Sequence, residues 1–501
     1  MIHIVLILLS FAFILIFSIS TSILYPFYGS DSAVFQVLGK YWLDGILPYK
    51  DLFDHKGALL FLINSIGYAI HPRTGIMIPQ IIFMYISLLM IWKMFELYFD
   101  SIKHKICFFI LTLIYFISHY WEGNNASEYT IAFIAISAYC FMRFMRFSEY
   151  KSIYSFIYGF GFGACVLLRA TNGMPICCFA ILSAIFLIRD RKFKTLWNNI
   201  LIFFTGFIAI ILPFVIYFAW NDALYDATYG TVLFNIKYAV NGSFHAKDVE
   251  YFALIAVSEF PMILMIAASI LNIGFDRKDK ISWSGLFSGI ILLAMLMKLR
   301  QYFHYCLMLV PIFPLMFAVL RNSVQNLKHI WQIEGFSIKR FICKIFLAFF
   351  IVYFGICLSI YWTHIHIPSD EEKSSYIEES IQIKKLSELI PPDERNSLMM
   401  WGIDKLMARW ILESGILPRY KFFYNQSMFA AFDSEIRTAW FKNVRENYPL
   451  WILYGGELKI ELYEFFPPFD DAELEKLIEE KYIFKGEVSL TAQDLKLYRL
   501  K

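Results

Sequence analysis

Six ionisable residues stand where an otherwise apolar chain leaves its hydrophobic segments: Asp31, Lys56, Glu128, Arg169, Arg300 and His304. Asp31 precedes a run in which Ala33, Val34, Val37, Leu38, Tyr41 and Trp42 recur at helical spacing, an apolar face suited to a membrane surface. Asp31 or Ser30 in that position either caps the helix or supplies a carboxylate that deprotonates an acceptor hydroxyl or phosphate. Lys56 closes the run Pro48-Tyr49-Lys50-Asp51-Leu52-Phe53-Asp54-His55-Lys56-Gly57. It either snorkels at an interface or holds a lipid phosphate at headgroup depth. Glu128 opens an apolar helix. It is favoured there by the helix dipole, yet an acid at membrane depth is also a functional candidate. Arg169 interrupts a long apolar stretch, as an interfacial anchor or an anion site. Arg300, Tyr302, His304 and Tyr305 form a third cluster, in which His304 beside Arg300 suits a phosphate.

The elements that must position these residues follow from composition. Of 501 residues, 58% are hydrophobic and 17% charged, against about 45–50% and about 25% in ordinary soluble domains. Mean hydropathy is +0.55. These values exclude a disordered chain, a collagen-like fibre and a small disulfide scaffold, and they disfavour a wholly soluble enzyme. The 52 Phe, 31 Tyr and 12 Trp suit lipid-facing helices with aromatic belts. The eight cysteines all fall in apolar stretches without metal spacing and read as small buried hydrophobes. Residues 2–24 lack a basic leader and a cleavage site, and read as a retained first helix.

A spanning helix takes about 20 apolar residues. Eleven segments qualify: 2–24, 74–98, 105–119, 126–147, 152–168, 172–188, 196–219, 250–273, 282–298, 302–320 and 341–363. Residues 57–70 are shorter and interrupted by Asn64 and Gly67, and are expected to lie on or partly in the membrane surface. With the N-terminus cytoplasmic, the internal loops carry 17 Lys and Arg and the longer outer segments nine, as the positive-inside rule requires. All six ionisable residues then share the outer face. Three Asn-x-Ser/Thr triplets, starting at Asn125, Asn241 and Asn425, also fall outside.

Residues 1–363 hold 18 acids and 27 bases, net +9, and residues 364–501 hold 24 acids and 18 bases, net −6. The chain is therefore expected to be a polytopic α-helical membrane domain, 1–363, including an outer-face loop at 25–73. A soluble extracytoplasmic α/β domain, 364–501, follows it. In the latter, residues 370–390 read as an amphipathic helix. Strands at 397–403, 419–425 and 451–454, helices at 404–415, 429–448 and 471–481, and a final strand pair follow. A charge balance this mild gives no sign of a nucleic-acid partner.

The run from Asp31 to Lys56, with Asp-His-Lys-Gly opening a surface helix, resembles the first outer loop of GT-C glycosyltransferases. The nearest likeness is to the superfamily of protein O-mannosyltransferases and aminoarabinose transferases. Asp31 matches the acid after the family's first helix, Lys56 its loop lysine with Gly57 in place of proline, and Glu128 its second-loop acid. Arg300, Tyr302, His304, Tyr305 and Pro311 match its Arg-x-Tyr-x-His-Tyr run and following proline. Trp401-Gly402 and Arg419-Tyr420 resemble the periplasmic domain of bacterial members. The resemblance implies a GT-C fold and a multi-pass enzyme of the inner (plasma) membrane, part of the cell-envelope machinery. Such an enzyme is a hexosyl- or pentosyltransferase that moves a sugar from a polyprenyl-phosphate donor to a glycan, lipid or protein acceptor at the outer face. It implies Asp31 and Glu128 as catalytic carboxylates, Asp31 as the general base that activates the acceptor and Glu128 orienting the acceptor or assisting Asp31, and Lys56, Arg169, Arg300, Tyr302 and His304 as donor-phosphate ligands. Asp31 is followed by Ser32 where many members carry a second acid, which leaves open whether a divalent metal takes part.

Two other readings compete. A lipid-linked sugar flippase or transporter places ionisable residues in mid-span and often shows repeats. Lys93, Glu96 and Glu259 are the main candidates here, and no repeat is visible. A polysaccharide polymerase or ligase is expected to carry a large outer loop between late helices.

Overall fold

The computed structural model describes residues 2–241, 249–298, 303–330, Tyr353, 367–401, 406–424, 426–458, 472–491 and 493–501. The helices in chain order are α1 (Ile2–Phe17), α2 (Ser30–Leu43), α3 (Ala58–Ile70), α4 (Met77–Tyr98), α5 (Ile102–His119), α6 (Ala126–Phe147), α7 (Ser152–Arg169) and α8 (Met174–Arg189). Then come α9 (Phe193–Trp220), α10 (Leu224–Thr228), a π-helical segment (Tyr229–Leu233), α11 (Phe234–Asn241), α12 (Val249–Phe275) and α13 (Lys280–Lys298). A 3-10 stretch (Phe303–Ile312) leads into α14 (Phe313–Ile330).

Seven helical stretches among the described residues are long and apolar enough to cross a membrane, and Ile2–Phe17, Ala58–Ile70 and Lys280–Leu296 are shorter apolar helices. Ten of the eleven expected segments correspond to described helices, with three differences in extent. The expected spans 152–168 and 172–188 are joined by a 3-10 turn, Ala170–Gly173, into one helical run from Ser152 to Arg189. α1 stops at Phe17 because Ser18, Ser20, Thr21 and Ser22 follow. Their hydroxyls compete for backbone groups, as where the Leu24 N–H donates to Ser22 Oγ at 3.2 Å. The expected span 302–320 begins as 3-10 rather than α-helix. The segment 341–363 lies outside the described residues, apart from Tyr353.

By compactness the chain falls into two units. One unit comprises Met1–Ser18, Ile78–Phe214 and Ala246–Ile367, and the other Ile19–Met77, Val215–His245 and Pro368–Lys501. The first is a helix assembly in which small residues permit close crossings. A Cβ on Gly159 of α7 would stand 1.8 Å from the Phe203 carbonyl oxygen of α9, and one on Gly206 2.2 Å from that of Phe156.

The second unit joins residues 19–77 and 215–245 to the C-terminal region. α2 packs on α3, where a Cβ on Gly39 would meet Asn64 Cβ at 2.5 Å. The apolar face of α2 expected to meet the membrane is instead buried in protein: Ala33, Val34, Val37 and Leu38 are almost wholly covered. The C-terminal region contributes α15 (Asp370–Ser387), β1 (Leu398–Trp401), α16 (Leu406–Ser414), α17 (Gln426–Phe432), α18 (Ser434–Glu446), β2 (Trp451–Leu458), α19 (Ala472–Lys481), β3 (Tyr482–Ser489) and β4 (Gln493–Leu500). α16 packs on α2, so part of the cover on α2 comes from residues far along the chain.

α15 starts at a capping box, with Ser369 and Glu372 satisfying each other's backbone N–H groups. The sheet order is β1-β2-β4-β3, with β1 parallel to β2 and the other pairs antiparallel. Met399, Trp401, Trp440, Phe441, Ile452 and Leu474 fill the core between this sheet and its helices.

Two expectations are corrected here. Residues 419–424 are not a strand: Phe422, Phe423 and Tyr424 are buried consecutively instead of alternating, and the backbone bonds singly to two separate partners. The Arg419 N–H donates to the Leu398 carbonyl at 2.7 Å, and the Phe53 N–H to the Lys421 carbonyl at 2.9 Å. The helix expected over 429–448 is broken at Asp433, whose carboxylate accepts from the Glu435 N–H and caps α18. Gly402 and Asn425 lie outside the described residues.

Candidate active site

In the second unit, Gly29 occupies the N-cap of α2 and supplies the positive φ (72°) that turns the chain into the helix. Asp31 therefore sits inside the first turn, half-buried, where the helix dipole favours a negative charge. Neither Ser30 nor Asp31 occupies the N-cap position itself.

The loop after α2 is rigidly tied. The Leu47 N–H donates to Asp51 Oδ2 at 2.8 Å, and the Tyr49 N–H to the Leu52 carbonyl at 2.7 Å. The buried Tyr49 hydroxyl donates to the Lys56 carbonyl at 2.7 Å. Asp54 is almost fully buried, which a carboxylate tolerates only with several donors. It accepts from the Lys56 N–H at 2.6 Å and from the Tyr424 hydroxyl. Burial raises its pKa above the ordinary aspartate value. The Lys56 charge, the Tyr424 hydroxyl and the Lys56 N–H lower it in part, and the Asp31 charge pushes it further up. Asp31 and Lys56 thus both act electrostatically on one buried carboxyl group. The Lys56 ammonium lies 2.9 Å from His55 Nε2, and since an ammonium only donates, Nε2 is the acceptor. The His55 ring stacks on Tyr238, and its carbonyl accepts from Asn235 Nδ2 at 2.8 Å.

In the first unit, Asn125 caps α6, accepting from the Glu128 N–H at 3.0 Å while its own amide donates to the Trp121 carbonyl at 3.2 Å. The Glu128 carboxylate is buried. It accepts from Gln80 Nε2 at 3.1 and 3.2 Å and from the Asn124 N–H at 2.8 Å. Glu128 thereby ties the loop 120–125 to α4. Arg169, at the C-terminal end of α7, lays its guanidinium 3.1 Å from the centre of the Tyr305 ring and donates to Ser127 Oγ at 3.5 Å. His304 stands edge-on to Tyr305.

The structure thus groups Asp31 with Lys56 in one unit, and Glu128, Arg169 and His304 in the other. Arg300 and Tyr302 lie outside the described residues. Sequence reasoning missed Asp54, Tyr424, Asn235 and Gly230. Asp54 stood within the Asp-His-Lys-Gly run, but nothing local to Tyr424 or Asn235 points to residues 54–55. Among the described residues, no three His, Cys, Asp or Glu side chains come together as a metal site.

A family model described as dolichyl-phosphate-mannose-protein mannosyltransferase matches residues 55–219, about a third of the chain, beginning at the His55-Lys56 pair. In three dimensions the chain is similar to the archaeal oligosaccharyltransferase AglB from Archaeoglobus fulgidus, solved in complex with an inhibitory peptide and a dolichol-phosphate. The TM-score is 0.52 at 11% identity, over 99% of this chain and 74% of that one. No curated protein matches the sequence. The resemblance to GT-C glycosyltransferases that use polyprenyl-phosphate sugars therefore stands on a sequence match and on the fold, and the chain is a multi-pass membrane protein.

Proposed function

We propose that this protein is an integral membrane glycosyltransferase that moves a hexose or pentose from a polyprenyl-phosphate donor to an acceptor at the outer face of the membrane. One observation carries the reading: Asp31, in the first turn of α2, and Lys56, whose backbone N–H donates to the buried Asp54 at 2.6 Å, place a carboxylate and a cation in one compact unit. Asp31 takes the proton of the acceptor hydroxyl as its oxygen bonds to the anomeric carbon. The bond from that carbon to the phosphate oxygen breaks, and the phosphate leaves as an anion. Lys56 stabilises the charge that develops on it. Asp54, buried and bonded to the Tyr424 hydroxyl and the Lys56 N–H, serves to hold the loop. Arg169, Arg300, Tyr302 and His304 complete the donor-phosphate set by resemblance, and Glu128 orients the acceptor side through the loop 120–125. The N-terminus is cytoplasmic and the region from 364 extracytoplasmic, as the loop charges favour. AglB was solved with a peptide and a dolichol-phosphate, which supports a polyprenyl-phosphate donor together with a protein or lipid acceptor.

The test is sugar transfer in purified membranes from labelled polyprenyl-phosphate sugars, comparing wild type with Asp31→Asn at equal folded amounts. Transfer by the wild type and its loss in the variant support both activity and base. Equal transfer by both removes Asp31 as the base. A wild type that transfers from no donor but carries the lipid-linked sugar across the bilayer overturns the enzyme reading in favour of a flippase.

A further inference from the structure

The chain following Trp220 is built inside out for a helix in water. From Ala223 to Asn241 it runs through α10, the π-helical segment and α11. Ala223, Ala227, Gly230 and Phe234, at helical spacing, form its buried face. The other face presents Leu224, Tyr225, Val232, Leu233, Ile236 and Val240, each between 38% and 77% exposed. A surface helix of a soluble domain turns its charges outward. Here the two charged side chains turn to protein partners in the same unit. Asp226 accepts from Lys421 at 2.9 Å, and Lys237 donates to Asp433 at 2.5 Å. An apolar stripe of this extent marks an interaction surface.

What covers it follows from the chain on its N-terminal side. α9 has the highest mean hydropathy of the candidate spans, 2.7, and only 6% of its most apolar stretch is buried, so its surroundings are lipid. It ends at Trp220, 87% exposed, and the stripe begins four residues later. Tyr217, Trp220 and Tyr225 are the amphipathic aromatics that collect at a membrane boundary.

We propose that residues 224–241 form a strap lying in the headgroup–acyl boundary of the leaflet at which α9 ends, with lipid covering its apolar face. The opposite face of the strap holds the Asp54–Lys56 loop. A Cβ on Gly230 would stand 2.7 Å from Tyr49 Cδ1 and 3.0 Å from the Asp54 carbonyl oxygen, and Asn235 Nδ2 donates to the His55 carbonyl. The lipid-facing strap is thereby the clamp on the loop that carries Lys56. Lipid docking does not rest on the glycosyltransferase reading, and its readout is independent of activity.

The test is photo-crosslinking of the full chain in phosphatidylcholine–phosphatidylglycerol nanodiscs, with benzoylphenylalanine placed at Ile236 or, as a second position, Val232. Leu201 on α9 is the lipid-facing control, and the exposed Tyr448 the control on the C-terminal region. Variants are taken forward when they elute as the wild type does. Lipid adducts at Ile236 and Val232 within about threefold of the Leu201 yield and at least about threefold above Tyr448 are expected for apolar side chains at this depth. Adducts no higher than at Tyr448, or crosslinks to a second copy of the chain in place of lipid, overturn the proposal.

Discussion

The Tyr424 hydroxyl donates to the Asp54 carboxylate across 370 positions of sequence. A residue of the C-terminal region thereby completes the hydrogen bonding of a buried acid two positions from Lys56. The aromatic run Phe422-Phe423-Tyr424 is buried whole, and the Phe53 N–H bonds to the Lys421 carbonyl beside it. The two segments form one joint, with Asp54 and Tyr424 as its polar centre.

Removing that hydroxyl leaves a buried carboxylate short of a donor. Tyr424→Phe is therefore expected to destabilise the protein by about 1–3 kcal/mol. Thermal unfolding of the detergent-solubilised protein, followed by fluorescence-detected size exclusion, reads it. An unchanged midpoint would show that water or another donor replaces the hydroxyl at no cost.

Lys56 is assigned to the leaving phosphate, so its charge and its reach are separable. Lys56→Met is expected to lower kcat/KM for transfer by about 100-fold or more, the usual scale for one electrostatic ligand of a transition state. Lys56→Arg keeps the charge but not the compact ammonium beside His55 Nε2, and is expected to recover part of the rate. Equal kcat/KM in wild type and Lys56→Met would remove Lys56 from the site.

Gly230→Ala places a methyl where Tyr49 Cδ1 and the Asp54 carbonyl stand at 2.7 and 3.0 Å. The buried Tyr49 cannot yield easily, so the loop must shift, at a cost of about 1–3 kcal/mol. Transfer is expected to fall alongside stability, while lipid crosslinking at Ile236 persists. Loss of crosslinking with transfer intact would separate the strap from the loop.

How much of this was legible beforehand differs between the two units. Long apolar segments announce spans because a bilayer demands their length, and α4 and α6 appear where the sequence places them. The loop residues Asp31 and Lys56 were visible as charges interrupting apolar sequence. Their setting was not, because Tyr424 and Asn235 reach residues 54–55 through long-range packing that no local period encodes. The face of α2 misled for a related reason. Ala33, Val34 and Leu38 have the same pattern whether lipid or protein covers them, and α3 and α16 are what cover α2.

Glu379 links stability to pH in the C-terminal region. Its carboxylate accepts from Arg409 Nη1 at 2.6 Å and from the Thr491 N–H and hydroxyl at 2.6 and 2.7 Å. Burial raises its pKa, but the Thr491 and Arg409 bonds outweigh that, so the folded value lies below the ordinary 4.5. A depressed carboxyl pKa contributes stability above the unfolded value, and that contribution is lost as pH falls through the folded one. The unfolding midpoint is therefore expected to decline below about pH 4.5. Glu379→Gln should be less stable at neutral pH and show a flatter acid limb. Parallel acid limbs in the two proteins would show that other carboxylates carry the dependence.

Glu128 distinguishes a proton carrier from a loop anchor. Its oxygens are engaged by Gln80 and the Asn124 N–H, which suits an anchor for the loop 120–125. Glu128→Ala removes the acceptor for both and is expected to cost about 1–3 kcal/mol. Glu128→Gln keeps an acceptor oxygen for the Asn124 N–H and is expected to retain most of the stability, with kcat within about tenfold of wild type. A residue that takes a proton in the reaction instead loses about 100-fold or more on that change. Such a loss in kcat, with the unfolding midpoint unchanged, would return Glu128 to the chemistry. The same geometry commits the Asn125 amide to the Trp121 carbonyl, so that side chain is expected to remain unmodified in a glycosylating host, as intact-protein mass would register.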